Sequence, residues 1–124
     1  MHEAYDNLEV PGLKIRRGVE YGITPDNREQ MKCDLAKRNF DFVLGSVHLV
    51  DGVDVYLQPY WENKSYDEAI RLYLETTLEA VRVHEDYDVL GHLTFISKAR
   101  ANPRSELLRY ADHKSIMDEI MLEL

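Results

Sequence analysis

Apolar residues fall along the chain in two rhythms. Short apolar runs at residues 13–19, 40–48 and 87–93 have strand length, and the stretches between them repeat apolar residues at helical spacing. In FDFVLGSVHLVDG, residues 40–52, the residues Phe40, Phe42, Val43, Leu44, Val47 and Leu49 suit a strand covered on both faces. The run SYDEAIRLYLETTLEAVRVHE instead spaces Ala69, Leu72, Tyr73, Leu78, Ala80 and Val81 as one helix face, and Ser65 with Glu68 forms a capping-box pattern at its start. REQMKCDLAKR is helical, with Asp26 or Asn27 able to cap it, and HKSIMDEIMLEL is a helix running to the last residue. EAYDNL has the character of a helix end, stopped by Pro11 and Gly12. Residues 51–63 and 102–105 are expected as loops, the first holding Gly52, Pro59 and the aromatics Tyr56, Tyr60 and Trp61, the second Pro103.

Strands alternating with helices predict an α/β fold with parallel strands. Right-handed crossovers would then bring the strand carboxyl ends to one side. The chain of 124 residues has room for one small domain and not two. No apolar run approaches the roughly 18 residues that a membrane span needs, and MHEAYDNLEVPG lacks a secretory pattern, so a cytoplasmic location is expected. The single Cys33 makes no internal disulfide and is expected to be a small packing residue on a helix face.

A net charge of -8 disfavours nucleic acid as a partner, because duplex binding neutralises phosphates with Lys and Arg. The charge is uneven. Between Lys98 and Lys114, five basic residues stand against Glu106 and Asp112, a net +3 where an anionic ligand could be met. Lys98, Arg100 and Arg104 are the candidate phosphate contacts, with Arg able to bind two oxygens at once. The alternative for them is a solvated surface around Pro103.

The candidate chemistry lies at the strand ends. His48 closes one strand, His92 lies near the end of the next, and Glu20 ends the strand in LKIRRGVEYG. Carboxylate and imidazole together suit zinc, manganese or iron, and three protein ligands suffice for a catalytic zinc. Taken singly, each residue also fits a satisfied core or turn position, and it is the repetition in three strands that favours a metal. Of the other histidines, His84 is expected to be exposed at the charged end of the long helix, and His113, beside Asp112, to begin the last one.

The motifs GVE, FVLGSVH and DVLGHLT, in this order and followed by RYADHKSIMDEI, resemble the polymerase and histidinol phosphatase (PHP) family, in its histidinol-phosphate phosphatase branch. The resemblance implies part of a distorted (β/α)7 TIM-like barrel of parallel strands with a trinuclear metal site at the carboxyl rim. It implies Glu20 as a carboxylate bridging two divalent metals (Zn, Mn or Fe), His48 and His92 as ligands of one of them, and hydrolysis of histidinol phosphate by metal-activated water. The family's His-x-His strand and closing Asp-x-His strand are absent from the sequence, and Asp112 and His113 stand adjacent without an intervening residue. Residues 1–124 are therefore expected to form a partial PHP domain of weak or no activity alone. Its open sheet edges imply a homo-oligomer or a complementary chain. The competing expectation is a non-catalytic half-barrel remnant that self-associates and binds a metal structurally.

Overall fold

The computed structural model describes residues 10–104 and 107–124. In chain order the elements are β1 (Gly18–Gly22), α1 (Arg28–Ala36), β2 (Phe42–Ser46), β3 (Leu49–Val50), β4 (Val53–Asp54), α2 (Gln58–Trp61), α3 (Tyr66–Val83), β5 (Val89–Leu90) and α4 (Lys114–Glu123). Single 3-10 turns at Phe95–Lys98 and Tyr110–Asp112 lie between β5 and α4. The helix expected around residues 3–8 lies outside the described residues.

Three strands form a parallel sheet in the order β1-β2-β5. Glu20 pairs with Leu44 and Gly22 with Ser46, while Leu44 pairs in turn with Val89. This is the expected α/β arrangement, with the strands shifted and shorter. β1 begins at Gly18, since among the described residues the preceding LKIRR makes only an isolated bridge from Leu13 to Val10, and its continuation to Gly22 leaves Glu20 in mid-strand instead of at the end. Pairing stops at Ser46 and Leu90, so His48 and His92 each stand two residues beyond a strand.

The loop expected at residues 51–63 contains structure. Asp51 and Gly52 both have positive φ, 51° and 75°, the backbone of a tight hairpin turn, and they join the antiparallel β3 and β4. Helix α2 follows with Pro59 in its first turn, where a missing N–H costs nothing. Its Trp61 Nε1 donates to the Val55 carbonyl (2.9 Å), and the Tyr60 hydroxyl donates to that of Ala69 (2.5 Å), which ties this segment to α3.

Helix α3 builds the core. Ala69, Ile70, Tyr73, Leu74, Thr77, Leu78, Ala80 and Val81 are buried at successive spacings of one to three residues, forming a wide, largely apolar stripe. Full burial of a side chain such as Ile70 or Leu74 contributes about 1.5–3 kcal/mol. The predicted capping box is present: the Glu68 N–H donates to Ser65 Oγ, and the Ser65 N–H to the Glu68 carboxylate. Helix α4 lies against α3 through Met117 and Ile120, and at the exposed rim Arg82 pairs with Glu119 and Glu123. His113 stands at the N-cap of α4, as expected.

Three local expectations are corrected. His84 is 3% exposed and not a surface residue: α3 ends just before it, and its Nε2 donates to the Thr24 carbonyl (2.8 Å), pinning the turn after β1. Cys33 is exposed, because α1 turns Met31 inward and leaves Cys33 on its outer side. The strand expected to be covered on both faces has Phe42 at 41% exposure, and its neighbour in β5, Val89, is at 45%. The sheet is covered on the α1 side, where the Tyr21 hydroxyl donates to Asp34 (2.9 Å), and is open on the side that bears Glu20.

Candidate metal centre

Alternation along β1 turns Glu20 away from Tyr21 and α1, onto the open face. His48 and His92 follow β2 and β5 on the same rim. His48 is fixed by the hairpin, whose returning Val55 N–H donates to the His48 carbonyl (3.0 Å). His92 is fixed by the 3-10 turn after it, where the Phe95 N–H donates to the His92 carbonyl (2.7 Å).

The three side chains meet at one point. His92 Nε2 lies 3.0 Å and His48 Nε2 3.4 Å from the same Glu20 oxygen, Oε1, and the two imidazole nitrogens are 3.4 Å apart. They are the candidate metal-binding set among the described residues, with one ligand atom from each within 4.8 Å of the others. Tetrahedral zinc with bonds of about 2.0–2.2 Å to nitrogen and oxygen holds its ligand atoms roughly 3.3–3.6 Å apart. The observed spacings fit that donor set after small rotations.

The Glu20 carboxyl is held below its usual range, first by the hydrogen bond with His92 and next by the Ser46 hydroxyl, against an opposing effect of burial. Glu20 is therefore a carboxylate at neutral pH, the state in which it can bind a cation. The Ser46 hydroxyl is near enough to contribute, yet it is buried and meets no partner at full hydrogen-bonding geometry.

Sequence reasoning missed Phe95. Its ring lies 4.7 Å from that of His48 and 4.9 Å from that of His92, a shared apolar wall that limits how the imidazoles can turn. Its signal was an aromatic three positions after His92, readable only once a turn is known to fold it back.

The basic candidates are more dispersed. Lys98 ends the 3-10 turn after His92, and both Lys98 and Arg100 are exposed. Arg104 is engaged elsewhere: it pairs with Asp67 (3.6 Å), lies over the Tyr66 ring (4.6 Å), and lines a cleft of about 500 Å³ with Arg109, Asp112 and His113. Neither Glu20, His48 nor His92 lines that cleft.

Two imidazoles and a carboxylate gathered at the rim of a parallel sheet form a group that could hold a metal ion. A family model described as the PHP domain matches residues 1–124, and the chain belongs to the PHP family. It is 34% identical over 108 residues to a probable histidinol-phosphatase of Clostridium acetobutylicum, covering 87% of this chain and 42% of that protein. It is 32% identical over 114 residues to the histidinol-phosphatase of Lactococcus lactis, covering 90% of this chain and again 42% of the relative. Among solved structures, the histidinol phosphate phosphatase from Lactococcus lactis, complexed with zinc, L-histidinol and phosphate, superposes with a TM-score of 0.80 at 26% identity. That match covers 99% of this chain and 45% of the other. The chain thus spans about two fifths of the length of the curated relatives it matches.

Proposed function

We propose that the chain is part of a metal-dependent phosphomonoester hydrolase acting on histidinol phosphate in histidine biosynthesis, in the cytoplasm. The observation that carries this reading is the convergence of Glu20, His48 and His92 on one point at the rim of three adjacent parallel strands. Glu20, held ionised, supplies negative charge, and His48 and His92 supply nitrogen donors, so the three would hold a zinc, manganese or iron ion. When bound, such an ion supplies Lewis acidity toward the phosphate and lowers the pKa of a water molecule. Phe95 excludes solvent from one side of the imidazoles and keeps their Nε2 atoms aimed at Glu20.

Lys98, Arg100 and Arg104 are the proposed phosphate contacts. Arg104 would have to leave Asp67 for this role, and an exposed ion pair of that kind is worth only about 0–1 kcal/mol. We read residues 1–124 as a partial PHP domain that contributes to a distorted TIM-like barrel. Among the described residues β1 and β5 each have one strand neighbour, and Phe42 and Val89 are exposed on the ligand-bearing face. A second copy or a complementary chain would cover them. The same openness favours a second reading, a self-associating half-barrel that binds metal without turnover.

Metal content and histidinol-phosphate hydrolysis decide between these readings. Zinc, iron or manganese retained by the parent and lost from Glu20→Ala, His48→Ala and His92→Ala, together with phosphate release, supports the enzyme. Metal without phosphate release supports the half-barrel. A metal-free parent purified without chelators rejects the three-ligand site in this chain.

A further inference from the structure

The sheet at the level of Ser46 has a glycine on either side of it. Gly22 is the register partner of Ser46 on β1, and Gly91 lies beside it just past β5, its N–H donating to the Gly45 carbonyl (2.7 Å). A Cβ on Gly91 would meet Ser46 Oγ at 2.4 Å and Leu44 at 3.2 Å, so any side chain there would push the hydroxyl aside. At Gly22 a Cβ would meet nothing within 4 Å. Ser46 therefore carries the one side chain in that row of three.

The row lies between the level of Glu20, which pairs with Leu44, and that of His48, two residues beyond Ser46. Alternation puts Ser46 on the same face as Leu44 and Glu20. The Glu20 side chain reaches the histidines past this row, and a Cβ on Gly22 would find only open space there. Both histidines contact Oε1 of Glu20, so neither occupies Oε2. Ser46 is 0% exposed, and its Oγ has no hydrogen-bond partner. A buried hydroxyl without a partner is unfavourable, and a short rotation of the neighbouring carboxylate would satisfy it.

We propose that Ser46 is a positioning residue of the metal centre, its hydroxyl donating to the second carboxylate oxygen of Glu20 and leaving the first to face the histidines. The proposal rests on the metal-site reading above. Gly91 belongs to the same device, since any side chain there would displace the hydroxyl.

Zinc affinity, read by competition with a chromogenic chelator, tests it. Ser46→Ala should weaken binding about 10–100-fold, as loss of a group orienting a ligand does elsewhere. Ser46→Thr keeps the hydroxyl, has space toward Gly22 for its methyl, and should stay near the parent. In a Glu20→Gln background Ser46→Ala should add almost nothing, because its partner is already altered. Parent-like affinity in Ser46→Ala, or a full further loss in the Glu20→Gln background, would overturn the proposal.

A metal-free arm separates this outcome from failure of the metal reading. Urea unfolding of the parent, Ser46→Ala, Glu20→Gln and the double variant should show non-additive unfolding constants if hydroxyl and carboxylate are coupled, and additive ones if they are not. Should Ser46→Ala fail to fold, a folded, parent-like Ser46→Thr supports the hydroxyl's role. A Ser46→Thr that fails alike contradicts it.

Discussion

Two regions of the molecule obey different physics. In the helical layer α3 and α4 pack Ile70, Tyr73, Leu74, Met117 and Ile120 out of water, each at 8% exposure or less. On the open side of the sheet, Glu20 lies on a face where Phe42 and Val89 are 41% and 45% exposed. The packed side holds the chain together by apolar burial. The open side gathers polar donors whose mutual contacts are short, and it gains little from burial. The difference shows how one small domain can leave a polar cluster exposed on a sheet face while apolar burial elsewhere holds the fold together.

Substitutions sort along that division. The largest expected effect is in the packed layer: Leu74→Ala, at a wholly buried site on α3, should lower unfolding free energy by about 2–5 kcal/mol. Phe42→Ala on the open face makes the paired test, and equal losses from the two in urea titrations would erase the distinction between faces. Next comes the start of α3. Ser65→Ala removes half of the capping box and should cost about 0.5–2 kcal/mol, visible as a lowered thermal midpoint without loss of helix content at low temperature.

A smaller effect is expected where α3 meets α4 in solvent. Arg82→Ala breaks the exposed pairs with Glu119 and Glu123, and such pairs contribute little because water screens them. High salt should hide the difference between variant and parent, and a loss as large as that of Leu74→Ala would mean that charge, not burial, joins these helices.

The smallest is a pH effect behind the sheet. Hydrogen bonds from Lys37, Gln30 and Tyr21 hold the Asp34 carboxyl down at about 2 from an ordinary 3.8. A carboxyl whose folded pKa is depressed contributes stability above its unfolded pKa and loses it as pH falls through the folded one. Parent and Asp34→Asn should therefore differ most at neutral pH and converge as pH falls from about 3.8 toward 2. Melting curves that stay equally separated down to acid pH would refute this link between β1 and α1.

Much of the helical layer was legible in the sequence, because its cause is local. The spacing of apolar residues in α3, the Ser65 and Glu68 box, and His113 at the start of α4 each depend on neighbours within a few positions. The hairpin at Asp51 and Gly52 carried a local signal too, an Asp-Gly pair between apolar residues, but the surrounding aromatics obscured it. His84 and Cys33 were misjudged for a different reason. Whether a residue at a helix end or on a short helix faces protein or water depends on what packs there, and Thr24 lies 60 residues from His84.

The site divides in the same way. Sequence alone determined that three strand segments each bring a carboxylate or an imidazole, since residue type and strand pattern are properties of short segments, but it ended β1 two residues early, at Glu20. It determined the family by the order of three weak motifs. Only the tertiary structure decided that Glu20, His48 and His92, 72 residues apart at the extremes, share one point, that Phe95 walls it, and that Ser46 lies beside the carboxylate. Parallel pairing fixes the relative height of strands that the chain joins only through long crossovers, and that register exists in no single segment.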